Sequence, residues 1–135
     1  MTCPFCDSKQ RILKENDLAY VMLSNPRRME GHFLVIPKRH IEIPTEITNE
    51  EIVDVFELVK FLQGKLIGTL GEGTQVRQNY MPYVPDSKYK VAHMHYHVMP
   101  RSLNDKMFQV VETHDRETFE DLTDEEHDRV AKLLE

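Results

Sequence analysis

No apolar run in this 135-residue chain approaches the roughly 20 residues of a membrane span. The opening Met-Thr-Cys-Pro-Phe-Cys has no basic segment leading into an apolar one, so it does not read as a secretory signal. These absences predict a soluble, cytoplasmic protein with no membrane partner. Cysteine is scarce: only Cys3 and Cys6 occur. In a reducing compartment such a pair points to metal or redox chemistry rather than a structural disulfide. There is no internal repeat, no low-complexity segment, and too little chain for a second sizeable core. Nor is there a basic excess. Lys and Arg number 17 against 23 Asp and Glu, a net charge of −6. Residues 104–135 hold 11 of the acids and 4 of the bases, which leaves the first 103 residues close to neutral. That balance argues against a surface for duplex nucleic acid and leaves room for a local phosphate pocket.

What is present reads as one α+β domain. At 40% hydrophobic and 30% charged, the composition suits a folded globule. Arg11–Lys14 and Leu18–Leu23 are β-prone runs around Glu15-Asn16-Asp17, which predicts a hairpin. Asn25-Pro26 marks a turn and Gly31 ends it. His32–Ile36 reads as a strand stopped by Pro37. Thr48 with Glu51 is a capping-box pair. Ile52, Val55, Phe56, Val59, Leu62, Leu66 and Leu70 follow at helical spacing, so residues 49–70 are expected to form one long helix closed by Gly71. Within it, Gly64 suggests a weak point or a close approach, and Phe56, Phe61 and the leucines are expected in the core. Thr74–Tyr80 and Val91–Pro100 are strand candidates, separated by a proline-containing loop. In the acidic tail Met107–Val111 is expected to be extended. Thr123 with Glu126 predicts a short helix through Val130, Leu133 and Leu134, docked on the body.

Two patterns carry chemistry. His93, His95 and His97 alternate, which in a strand sets three imidazoles on one face at a cost that asks for a use. A strand advances roughly 6.6 Å per two residues, so His93 and His97 lie too far apart to share one ion with bonds of about 2.1 Å. The three must divide the labour. Cys3-Pro-Phe-Cys6 has the spacing of a tetrahedral metal site, or of a thiol redox site. With no third cysteine, the remaining metal ligands must be histidines, and His40 and one of the three are the candidates.

Taken together, Gly31-His-Phe-Leu-Val-Ile-Pro-Lys-Arg-His40 and His93-Met-His-Tyr-His-Val-Met-Pro-Arg101 around one long helix resemble the histidine triad family, in its zinc-containing nucleotide hydrolase branch. The resemblance covers residues 1–103 as the domain and leaves 104–135 as an acidic C-terminal extension. It implies an antiparallel sheet of about five strands with the helix packed on it, and a homodimer with a continuous sheet. The implied activity is hydrolysis or transfer at the α-phosphate of nucleoside phosphoramidates or dinucleoside polyphosphates. It assigns His95 as the nucleophile, with His97 and His32 contacting phosphate oxygens. It makes Cys3, Cys6, His40 and His93 the ligands of a structural Zn²⁺.

This sequence departs from the family pattern at two places. Leu23 stands where many members carry an Asp for the ribose, leaving Ser24 or Asn25 as substitutes. Lys88-Tyr89-Lys90 stands where many carry a Gly-Gln-Ser or Gly-Gln-Thr phosphate cradle, so backbone amides and lysine charge would serve. Asn79 or Gln78 is expected at the family's amide-bearing contact. Arg27-Arg28 reads as a solvated turn or a contact to distal phosphates, Tyr80 and Tyr83 as packing or else a stacking surface for a base, His114 and His127 as solvated. The rival readings are a transferase or phosphorylase of the same family, a non-catalytic nucleotide-binding module, and a thiol redox protein.

Overall fold

The computed structural model describes residues 3–7 and 11–135. Among the described residues five strands form one antiparallel sheet: β1 (Lys14–Glu15), β2 (Ala19–Leu23), β3 (Phe33–Pro37), β4 (Gly73–Gln78) and β5 (Tyr96–Arg101). Their order is β1-β2-β3-β5-β4, so β4 is an outer edge. The expected hairpin is there, with Lys14 opposite Val21 and Glu15 opposite Tyr20. Asn16 and Leu18 at its turn bond Asp54 of the helix at 2.9 and 3.0 Å. The last strand is shorter than expected. It begins at Tyr96, so His93 and His95 belong to the irregular run leading into it.

Helix α1 (Asn49–Leu66) starts as the capping pair requires. Thr48 Oγ1 accepts from the Glu51 amide at 3.1 Å, and the Thr48 amide donates to Glu51 Oε1 at 2.9 Å. Buried Glu51 also takes both arms of Arg39, at 2.9 and 3.1 Å. The helix ends a turn earlier than its apolar spacing suggests, because Gly68 turns left-handed at φ +84° and Leu70 folds back. A Cβ at Gly64 would meet nothing, so that glycine serves no close approach.

Strand alternation divides the core. Ala19, Val21, Val35 and Val98 face Val55, Leu58, Val59, Leu62 and Leu66 of α1. Full burial of each such side chain is worth about 1.5–3 kcal/mol. Phe56 and Phe61 fall outside that stripe and are partly exposed, contrary to expectation. Phe56 instead sets its edge on Tyr96, and Phe61 lies under the ammonium groups of Lys14 and Lys65. The other face of the sheet carries Tyr20, Met22, Leu34 and Ile36 against Phe5 of the N-terminal segment. The Tyr20 hydroxyl donates to the Phe5 carbonyl.

The tail departs from expectation twice. Residues Lys106–Val110 are a helix, α2, rather than extended, because the Asp105 carboxylate accepts from the Phe108 amide at 2.7 Å and caps it. Arg101 of β5 grips this start of the tail through Asp105 at 2.8 Å and through Glu112. The second helix, α3 (Asp124–Ala131), is capped by Thr123 as expected. It is not docked: Val130, Leu133 and Leu134 are all exposed. Among the described residues no helix is long and apolar enough to cross a membrane.

Gly31 has φ +85°, and a Cβ there would lie 2.7 Å from Leu70 Cδ1 and 3.2 Å from Pro100 Cγ. Gly31→Ala is therefore expected to cost about 1–3 kcal/mol through strain and crowding. Urea unfolding of the variant beside the wild type measures this, and an unchanged midpoint would refute it.

Candidate active site and metal centre

The Cys6 amide donates to the Cys3 carbonyl at 3.1 Å, curling the N-terminal segment so that both sulfurs face one way. They meet His93, whose Nδ1 lies 3.3 Å from Cys3 Sγ and 3.5 Å from Cys6 Sγ, and His40, whose Nδ1 lies 3.4 Å from Cys6 Sγ. All four donor atoms lie within 4.8 Å of one another. A tetrahedral ion with bonds of about 2.0–2.3 Å sets its ligands roughly 3.3–3.8 Å apart. The outer ring nitrogens are engaged in the way metal-binding histidines require. His93 Nε2 donates to the Pro37 carbonyl at 2.8 Å, and His40 Nε2 donates to Glu42 at 3.1 Å. Each Nδ1 is left as a bare lone pair. Burial and the neighbouring Cys3 push the Cys6 thiol up to about 11, so a cation between the sulfurs would be the natural way to hold thiolates here. The donor set fits a closed divalent metal site.

His93 also reaches the second cluster through its main chain. Its carbonyl accepts from His95 Nδ1 at 2.7 Å. With the proton fixed on Nδ1, His95 Nε2 carries a lone pair. Burial lowers the His95 proton affinity, opposed by that same hydrogen bond. The edge of Phe5 packs 5.0 Å from the His95 ring.

His32 and His97 form a directed relay. The Arg28 amide donates to His32 Nδ1 at 3.0 Å, so the His32 proton sits on Nε2. That nitrogen lies 2.8 Å from His97 Nδ1 and donates to it. The His97 proton must then sit on its own Nε2, available to a ligand. Both rings are held neutral: His32 is lowered to about 4 and His97 to about 3. Burial is the first cause in each. For His32 it is followed by Arg28, His95 and Arg77, and for His97 by His95, His32 and then the same arginines.

These rings border a cavity of about 970 Å³ on the sheet face away from α1. Phe5, Met22, Leu34 and Val91 give it an apolar wall, and Arg11, Arg27, Arg28 and Lys88 a basic rim. A bare imidazole nitrogen beside a neutral N–H donor suits attack on a centre that develops negative charge.

The residues singled out from the sequence distribute as follows. Cys3, Cys6, His40 and His93 converge, and so do His32, His95 and His97. His32 is 2% exposed with both ring nitrogens already bonded, so it reaches a ligand only through His97. Ser24, Asn25, Lys88 and Tyr89 line the main cavity. Leu23 does not, since strand alternation gives that wall to Met22. Asn79 and Lys90 line a second hollow on another side of His93 and His95. Tyr80 and Tyr83 are exposed rather than packed. His114 and His127 are exposed beside carboxylates, as their polar surroundings suggest. Sequence reasoning missed Phe5 and Arg77. Phe5 had a signal: it lies between two cysteines that a metal would draw against the histidines.

A HIT domain family model matches residues 7–104. An adenosine 5'-monophosphoramidase of Schizosaccharomyces pombe is 33% identical over 106 residues, covering 75% of each chain. A HIT family protein from Bacillus subtilis has a similar structure, with a TM-score of 0.76 at 24% identity over 99% of this chain and 95% of that one. So has a Zn-bound histidine triad family protein from Mycobacterium smegmatis, with a TM-score of 0.65 at 24% identity over 94% and 87%.

The relay fixes a pH dependence. Folded His32 and His97 bind protons less readily than the ordinary value of 6.5, so the unfolded chain protonates first as pH falls. Their contribution to stability is complete above about pH 6.5 and lost on the way down to about pH 3–4. Urea midpoints between about pH 7.5 and about pH 5 are expected to fall less in a His32→Gln/His97→Gln double variant than in the wild type. In the wild type at neutral pH, ¹⁵N NMR is expected to find Nε2–H on His32 and His97 and Nδ1–H on His95. The opposite tautomers would overturn the relay.

Proposed function

The chain belongs to the HIT domain family of nucleotide hydrolases and transferases, and within it we propose a hydrolase that acts at the α-phosphate of a nucleotide through a nucleotidyl-histidine. The observation that carries this reading is the His95 Nδ1–H bond to the His93 carbonyl at 2.7 Å, which leaves Nε2 as a lone pair beside the cavity. In the reading, the apolar wall of Phe5, Met22 and Leu34 takes the base, and the α-phosphate sits over His95 and His97. His95 Nε2 attacks phosphorus, a P–N bond forms, and the bond to the leaving group breaks. A polyphosphate departs as an anion, and an amine departs from its protonated form. The developing charge on the phosphoryl oxygens is met by His97 Nε2–H, held in place by His32. Water then attacks phosphorus and releases its proton to solvent, the P–N bond breaks with its electron pair returning to His95 Nε2, and the nucleoside monophosphate leaves. The similarity to an adenosine 5'-monophosphoramidase supports a substrate in this class.

The metal in this reading is zinc, held by Cys3, Cys6, His40 and His93. Four protein ligands leave it no position for substrate, so what it supplies when bound is structural. It ties the N-terminal segment to His93, and His93 orients His95. The reading includes a homodimer joined at the β4 edge, supported by the exposed Ile52, Val53 and Phe56 on the neighbouring helix. It also keeps residues 1–103 as the catalytic domain and 104–135 as an extension.

The test is AMP release from adenosine phosphoramidate and from a diadenosine polyphosphate, with intact mass under non-acidic conditions to trap the adduct. The wild type is expected to turn over. His95→Ala is expected to lose at least about a thousandfold in kcat and all adduct, and His97→Ala about a hundred- to a thousandfold. A wild type with neither release nor adduct would refute the reading. Separately, the purified chain is expected to carry about one zinc. Cys3→Ser is expected to lose it and to lower Tm, and full metal retention by that variant would contradict the ligand set.

A further inference from the structure

Arg77 of β4 stands directly opposite His97 of β5. Opposed residues in an antiparallel pair share a face, with Cβ atoms roughly 4.5–5.5 Å apart. The neighbouring opposed pair, Val76 and Val98, packs on the α1 side. Arg77 therefore stands on the His97 side. Arg28 comes from the turn before β3: its amide holds His32, and its side chain lines the main cavity. The two guanidinium groups bear on the same histidine pair, and Arg28 bears on Arg77.

Two positive groups so placed would ordinarily be given a carboxylate. The fold does this elsewhere: Arg101 has Asp105 and Glu112, and Arg39 has Glu51. Among the described residues neither Arg28 nor Arg77 has a carboxylate oxygen within 4.0 Å. Among the described residues Asp7 is the one acid lining the cavity, against Arg11, Arg27, Arg28 and Lys88. Arg28 lines the cavity and Arg77 stands beside it on the His97 side of the sheet. Guanidinium groups without a carboxylate partner suit a phosphate, which each can grip with two N–H bonds.

We propose that Arg28 and Arg77 form an anion subsite beside His97 that holds the phosphate next to the one His95 attacks, so that this chain selects nucleoside polyphosphates and their mixed anhydrides over phosphoramidates. The inference rests on the reading of His95 and His97 as a nucleotide site. In the reaction the pair would hold the departing phosphate and spread its charge, a contact that an amine leaving group cannot make.

The test uses the full-length chain carrying His95→Ala, which prevents turnover, and titrates AMP and ADP by calorimetry. The readout is the ratio of their affinities, which a general loss of folding does not shift. ADP is expected to bind roughly tenfold or more tighter than AMP, as charge-assisted bonds to one further phosphate provide. Arg28→Gln and Arg77→Gln are each expected to bring the ratio below about three, and raising the salt to about 0.5 M is expected to compress it in the parent. ADP binding no tighter than AMP, or both variants keeping the full ratio, would overturn the subsite while leaving the nucleotide site standing. Failure of both nucleotides to bind the parent would bring down the underlying reading and the subsite together.

Discussion

His93 does two jobs with two parts of one residue. Its ring is clamped between the Pro37 carbonyl at the end of β3 and the two N-terminal sulfurs. Its carbonyl accepts the hydrogen bond from His95 Nδ1–H. Displacing that ring would move the carbonyl, and with it the tautomer on which an unprotonated His95 Nε2 depends. A buried imidazole with neither partner would also be costly in this apolar setting. The candidate metal-ligand cluster and His95 are thus mechanically one assembly, joined across two residues of backbone.

The rest of the fold serves that assembly by keeping its two sides different. Helix α1 covers one face of the sheet with aliphatic side chains and fixes its own start through Glu51. The opposite face is finished by Phe5 and left open as a cavity over the histidines. Burial and adjacent arginines keep His32 and His97 uncharged, so the site's positive charge resides on guanidinium groups and its hydrogen-bond donors on neutral rings.

Much of this was legible because it depends on short-range pattern. The alternation of His93, His95 and His97 pointed to a division of labour, although only His97 of the three lies in the strand on which that argument was built. The cysteine spacing and the lack of further cysteines led to His40 and a triad histidine. Thr48 with Glu51 located the helix start to the residue. What was not legible depends on tertiary register or on a single backbone angle. Gly68 rather than Gly71 ends α1, although Leu70 carries the apolar spacing past Gly68. Phe56 and Phe61 fit the helical period but sit at its margin, where neighbouring elements decide their cover. Asp105 makes a helix of a β-prone stretch once Arg101 fixes its place. Leu23 and Met22 exchange roles on a one-residue parity that sequence position alone does not set. Arg77 gains its meaning only from being paired across the sheet with His97.

The relay that gives His97 its proton begins at a main-chain amide, that of Arg28, rather than at a side chain. Every amino acid except proline supplies that amide. The direction of the relay is therefore insulated from mutation at position 28, while the side chain there remains open to change. One residue position thus carries an invariant and a variable: the backbone sets the tautomers of His32 and His97, and the side chain can change without disturbing them.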